Sequence, residues 1–122
     1  MPDNKLIKMI GLLQRRTDEK KISWEQAVDE DVYQTAFPNY TVQLGYKESS
    51  TQFGDIDYFI RILDEDNKIV EEATDVDLHN ELVNEGMNTY KVMENLYKSA
   101  RRQAMGVDKA INSILSELEN GD

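Results

Sequence analysis

One short stretch of this chain gathers the side chains best suited to gripping an anion. Tyr97, Lys98, Arg101 and Arg102 are neighbours, and Tyr90 lies two helical turns upstream. A guanidinium is a planar fork that meets a phosphate with two parallel hydrogen bonds. A tyrosine one turn away offers a ring on which a base can stack. On a helix, positions 97 and 101 share one side, and 98 and 102 share an adjacent one. The same residues also have plain structural uses. Cations near a helix C-terminus complement the helix dipole, and tyrosines in an apolar stripe fill cores. Arg61 is a sixth candidate. It interrupts the apolar run Tyr58-Phe59-Ile60-Arg61-Ile62, so in a strand it points from the solvated sheet face, where a carboxylate partner is the simple alternative.

Other chemistries find less support. There is no cysteine, so no thiol nucleophile, disulfide or Cys-ligated zinc can form. His79 is the single histidine, and His79-Asn80-Glu81-Leu82-Val83 lacks the second histidine of a zinc-protease helix. Asp64, Asp66 and Asn67 are spaced loosely like a calcium loop. However, Lys68, Ile69 and Asp75 stand where such a loop needs a ligand, a glycine and a glutamate. A hairpin turn accounts for these residues better, because Asp and Asn bond their own backbone. No Gly-x-Ser-x-Gly turn, phosphate-binding P-loop or dinucleotide fingerprint is present. The expectation is a chain that is not an enzyme and holds no metal and no cofactor.

The elements that must position these residues follow from hydrophobic period. Leu6, Met9, Ile10 and Leu13 recur at helical spacing and predict an amphipathic helix over about residues 3–17, with Gly11 as a weak point. From Ile22 to about residue 73 the period becomes two. Val42 and Leu44 alternate with polar neighbours, and Tyr58, Ile60 and Ile62 alternate with Asp57, Phe59 and Arg61. Pro38-Asn39 and Asp64–Lys68 read as tight turns, and residues 48–55 as a longer polar loop. A short helix over 75–86, capped by Asp75 and ended by Gly86, is an option. Tyr90, Met93, Leu96, Tyr97, Ala100 and Ala104 form a clear helical stripe. Ile111, Ile114, Leu115 and Leu118 form another after Gly106 and Asp108. The prediction is one α+β domain over residues 1–122: an N-terminal helix, a four- to five-stranded antiparallel meander, and two to three C-terminal helices packed on one face.

Charge is distributed unevenly over 122 residues with a formal net charge of −10. Residues 1–21 carry a balance of +3, residues 22–90 a balance of −13, and residues 91–122 a balance of zero. Such an acidic middle opposes duplex nucleic acid as a partner, because affinity there grows with neutralised phosphates. It leaves room for a local basic pocket. It also allows the reverse idea, an acidic surface covering a basic site on another protein. No apolar run approaches the ~18 residues of a spanning helix, and the start of the chain lacks the apolar core of a signal peptide. The expectation is a cytoplasmic protein with no membrane partner.

Four segments carry a likeness to known proteins. They are Leu12-Leu13-Gln14-Arg15-Arg16-Thr17 with Lys21-Ile22-Ser23-Trp24, then Phe37-Pro38-Asn39-Tyr40-Thr41-Val42, then Ile60 to Val70, then Leu96 to Ala110. In this order the chain resembles small phage and prophage proteins that include the first-described anti-Thoeris family. That resemblance implies an anti-defence sponge: a non-catalytic protein that sequesters cyclic nucleotide or cyclic ADP-ribose-type immune signals. It is strongest at Ala100-Arg101-Arg102-Gln103-Ala104-Met105-Gly106-Val107-Asp108. It implies that Arg101 and Arg102 hold the ligand phosphates and that an aromatic ring stacks the ligand, with Tyr90 and Tyr97 as the candidates. It also implies a small anionic nucleotide as partner, a homo-oligomer of two or more chains, and the host cytoplasm as location. The alternative is an acidic inhibitor that mimics nucleic acid and covers a bacterial defence protein, using Asp29-Glu30-Asp31 and Asp64-Glu65-Asp66.

Overall fold

The computed structural model describes residues 3–49, 54–79 and 88–121. Helix α1 (Asp3–Asp18) leads into five strands: β1 (Glu25–Gln26), β2 (Tyr33–Ala36), β3 (Thr41–Glu48), β4 (Ile56–Leu63) and β5 (Ile69–Thr74). Helices α2 (Thr89–Ala104) and α3 (Val107–Asn120) close the chain. The strands pair antiparallel in chain order, β1-β2-β3-β4-β5, which is the expected α+β meander at its five-stranded limit. Short connections dictate this order, since neighbours joined by tight turns can only pair antiparallel. The C-terminal helices pack on the sheet through α2, which touches β1 to β4, while α3 contacts α2.

Alternation along the strands divides the sheet into two faces. Tyr33, Leu44, Ile60 and Ala73 lie across from one another in register and point into the core. There they meet Met93, Leu96, Tyr97 and Ala100 of α2, with Ile10 and Leu13 of α1 alongside. The opposite face carries a polar ladder through Glu25, Gln34, Gln43, Arg61 and Glu72. Gln34 Nε2 donates to Glu25 at 3.0 Å, and Gln43 Nε2 donates to Gln34 Oε1 at 2.9 Å. On that face the ring of Phe59 lies across Gly45, where an added Cβ would collide with it and force the ring to move.

The tight turns follow the side chains that make them. Phe37 N–H donates to Tyr40 O at 2.7 Å around Pro38-Asn39. At the second turn the Asp64 carboxylate accepts from the Asp66 and Lys68 amides at 2.9 and 3.0 Å, and Asn67 takes a left-handed φ of 65°. Asp64 is thus occupied in shaping a hairpin. The cap expected at Asp75 falls one residue earlier. Thr74 Oγ1 accepts from the Asp77 amide at 3.2 Å, and the Asp77 carboxylate accepts from the Thr74 amide at 2.9 Å, a reciprocal capping box. Asp75 instead turns to β4 and accepts from Tyr58 N–H at 2.9 Å, and burial pushes its carboxyl up. Beyond residue 79, the remainder of the short helix expected over 75–86 lies outside the described residues.

Trp24 is a buried joint. Its indole N–H donates to Thr17 Oγ1 at 2.9 Å, and that hydroxyl donates to Leu13 O at 2.6 Å. Gln103 of α2 accepts from the Trp24 amide at 2.6 Å, so α1, the α1–β1 connection and α2 are fastened together. Among the described residues no helix is long and apolar enough to cross a membrane.

Candidate functional site

Helix α2 does what its spacing requires: it sends Tyr97 and Arg101 to one side and Lys98 and Arg102 to another. The Tyr97 side faces the sheet. Its ring packs against Tyr33, Tyr46 and Tyr58 at centroid distances of 5.6, 5.7 and 5.3 Å, and its hydroxyl donates to Asp31 O at 2.9 Å. Burial pushes that phenol well above the usual tyrosine range, with Tyr33, Asp31 and Tyr46 adding to the effect and the nearby Arg101 cation opposing it. Tyr97 is a core residue, buried among three other tyrosine rings. Arg101 is exposed above it and makes no ion pair among the described residues.

The other side faces α1 and forms a hollow of about 560 Å³. Lys98, Arg102, Asn95 and Ser99 of α2 line it, together with Gln14, Asp18, Ile10 and Gly11 of α1. Gln14 Nε2 bridges the helices, donating to Ser99 Oγ at 3.1 Å and to Asp18 Oδ1 at 2.9 Å. The charged lining is two cations and one carboxylate, an excess of positive charge on a strongly acidic molecule. Arg102 sits between this hollow and a second one of about 500 Å³ lined by Trp24, Lys20, Gln103 and Asp108. Its guanidinium Nη2 is 2.6 Å from Asp108 Oδ1, with both side chains more than half exposed (54% and 64%). An exposed pair of this kind is worth about 0–1 kcal/mol, so an incoming anion can displace the carboxylate. Lys98 Nζ lies 3.5 Å from Glu94 Oε2, and Lys91 binds the same carboxylate at 3.2 Å. Lys91 first, and Lys98 after it, hold the Glu94 carboxyl below its ordinary range, against an opposing effect of burial.

The remaining candidates lie elsewhere. Arg61 is on the sheet face opposite α2. It donates through Nε to Glu72 at 2.6 Å and lays its guanidinium over the Phe59 ring, 4.2 Å from the centroid. Bonding to Arg61, aided by Lys47, holds the Glu72 carboxyl low against the opposing effect of burial. Tyr90 packs beside Tyr58 at 5.3 Å and borders a cavity of about 470 Å³ shared with Asp55, Asp57 and Asp75. Three carboxylates and no cation among its described lining repel an anionic guest. The geometry therefore brings Lys98 and Arg102 together, keeps Arg101 on the neighbouring flank, and separates both tyrosines and Arg61 from them.

Sequence reasoning missed Gln14, Asn95 and Ser99. Asn95, Ser99 and Arg102 recur at helical spacing, which is a polar stripe legible in the sequence. Gln14 becomes relevant only because α1 packs along α2, a tertiary fact. Among the described residues no group of three or more His, Asp or Glu side chains is placed to hold a metal ion. Comparison of the chain with family models, curated proteins and solved structures finds no match.

Proposed function

We propose that this chain is a non-catalytic binding protein that sequesters a small phosphorylated ligand, a cyclic nucleotide or cyclic ADP-ribose-type signal, in the hollow between α1 and α2. The observation that carries the reading is the lining of that hollow, where Arg102 and Lys98 stand beside the amides of Gln14 and Asn95. The guanidinium and ammonium bind phosphate, and the amides and the Ser99 hydroxyl meet sugar or base edges. Arg101 supplies long-range attraction from the adjacent flank. Tyr97 and Tyr90 take no part in stacking, because neither lines this hollow. No bond is broken. Function by capture demands affinity, at ~1.4 kcal/mol for each tenfold gain over a competing receptor.

The test is heat release of bound nucleotide from purified protein, read by chromatography, followed by calorimetric titration with a panel of cyclic nucleotides and cyclic ADP-ribose isomers. Arg102→Ala and Lys98→Ala each weaken binding at least about tenfold, as loss of a charge-assisted phosphate contact requires. Asp108→Asn strengthens it, because the competing carboxylate is removed. Failure of the whole panel to bind, or unchanged binding in both cation variants, overturns the proposal.

A second reading has its own observation. Asp29, Glu30 and Asp31 are exposed on the β1–β2 connection, and Glu65 and Asp66 on the β4–β5 turn. They give an acidic surface suited to covering a basic site on a defence protein. Partner capture that collapses in high salt supports this reading, and salt-insensitive capture removes it.

A further inference from the structure

Helix α3 presents an uncovered apolar face and α1 presents an apolar groove, and the two are complementary. Along α3, Ile111, Ile114, Leu115 and Leu118 remain 44%, 59%, 47% and 71% exposed, and none of the helix's residues is buried. An amphipathic helix of 14 residues is marginal alone in water, and its apolar face is what normally holds it in place. On the far side of α1 from the anion hollow lies an apolar groove of about 310 Å³. Its floor is Met9, Leu12, Leu13, Ile22 and Phe37; Lys5, Lys8 and Arg16 form its rim. Arg16 is held by Glu19 at 3.2 Å, while Lys5 and Lys8 make no ion pair among the described residues.

We propose that this groove receives α3 of a second copy of the same chain, each copy lending its α3 to the other's α1. Charge selects the occupant. The described lining of the groove holds three cations and no carboxylate. The exposed last turn of α3 carries Glu117 and Glu119 and no cation. Parallel pairing of α3 with another α3 would instead bring the two Glu117–Glu119 ends together. The helix cannot serve its own groove, because within the chain it touches α2 and not α1. Two-fold exchange buries both apolar surfaces twice over and closes the assembly at two chains. One helix face in one groove is small beside the ~1,600 Å² of a standard interface, so the doubling matters. The inference uses no part of the anion hollow and stands or falls separately from the ligand reading.

The experiment is sedimentation equilibrium on the full chain across a concentration series, with circular dichroism to confirm folding. The wild type associates to two chains and no further. Leu118→Glu, at an exposed position, weakens the dimer at least about tenfold, since a charge enters an apolar contact. Lys8→Glu weakens it at low salt, and adding Glu117→Lys to Lys8→Glu restores it to within a few-fold of wild type. Three outcomes overturn the proposal: a wild-type monomer at the highest soluble concentration, species that keep growing beyond two chains, or a dimer lost in Leu118→Glu with no coupling between positions 8 and 117. The last would place the α3 contact on another surface.

Discussion

Helices α2 and α3 are read from the sequence in the same way, each as a stripe of apolar residues at helical spacing, but they end in different surroundings. In α2 the stripe is consumed: Thr89, Met93, Leu96, Tyr97 and Ala100 are all buried. In α3 the stripe faces outward and none of its residues is buried. The pattern therefore establishes that a helix has an apolar side, and it says nothing about what covers that side. For α2 the answer lies within the chain, because a five-stranded sheet with one solvated polar face needs a cover for the other. For α3 no core-facing sheet surface is left among the described residues, and the other face is a polar ladder.

The largest effect separates the two helices directly. Leu96 is fully buried, so Leu96→Ala leaves a cavity and costs about 2–5 kcal/mol. Leu118→Ala, measured on dilute protein where chains are apart, changes stability by about 0.5 kcal/mol or less. Urea unfolding of both variants checks the contrast. Equal losses would mean that α3 is packed within the monomer after all.

Next in size is the fastening of α1 to α2. Thr17→Val keeps the shape of the side chain and removes the hydroxyl that receives the Trp24 indole N–H. A buried donor left without an acceptor costs about 1–3 kcal/mol. Adding Trp24→Phe should then cost less than it does in the wild type, because the orphaned donor goes with it. Additive losses in the double variant would show that the indole finds another acceptor.

This joint also marks how much the sequence disclosed. Strand order was legible because period-two runs and short turns leave few topologies, and Asp64 announced its turn through chemistry confined to five residues. The anion hollow was only half legible. Lys98 and Arg102 stand out as cations on one helix side, but their companions Gln14 and Ser99 meet across an interface with a sequence separation of 85 residues. Tyr97 shows the converse. Its type and spacing fit stacking and core equally, and the deciding neighbours, Tyr33, Tyr46 and Tyr58, come from three different strands. Local pattern fixes elements, whereas sites depend on which faces meet.

A pH dependence sharpens the comparison, because Tyr33, Tyr46, Tyr58, Tyr90 and Tyr97 cluster at α2 and no tyrosine lies on α3. Burial first, and then bonding to Tyr90, pushes the Tyr58 phenol up to about 12 from an ordinary 10.0, and Tyr97 is raised in the same direction. A group with a raised folded-state value favours the fold while it stays protonated. The stabilisation is thus complete below pH 10 and is lost as pH rises through 12. Urea midpoints should hold steady up to about pH 10 and fall above it as the unfolded chain's tyrosines ionise. Tyr58→Phe should fall less steeply. An identical alkaline profile in that variant would remove Tyr58 from the account.

The smallest predicted effect concerns the joint between the two helices. Gly106 adopts φ 64° and ψ 37°, and the Met105 and Gly106 amides bond back to Arg101 O and Gln103 O, which terminates α2. A Cβ at Gly106 meets nothing within 4 Å, so the only penalty for a side chain there is backbone conformation. Gly106→Ala should cost about 1 kcal/mol, and Gly106→Asn less, since asparagine tolerates the left-handed region. Because Arg102 and Asp108 face each other across this bend, the alanine variant should also loosen their pairing and, by freeing Arg102 from its competing carboxylate, strengthen anion capture modestly. If alanine instead raised helical ellipticity and left stability unchanged, α2 and α3 would have fused into one continuous helix. The difference in their surroundings would then rest on this single glycine.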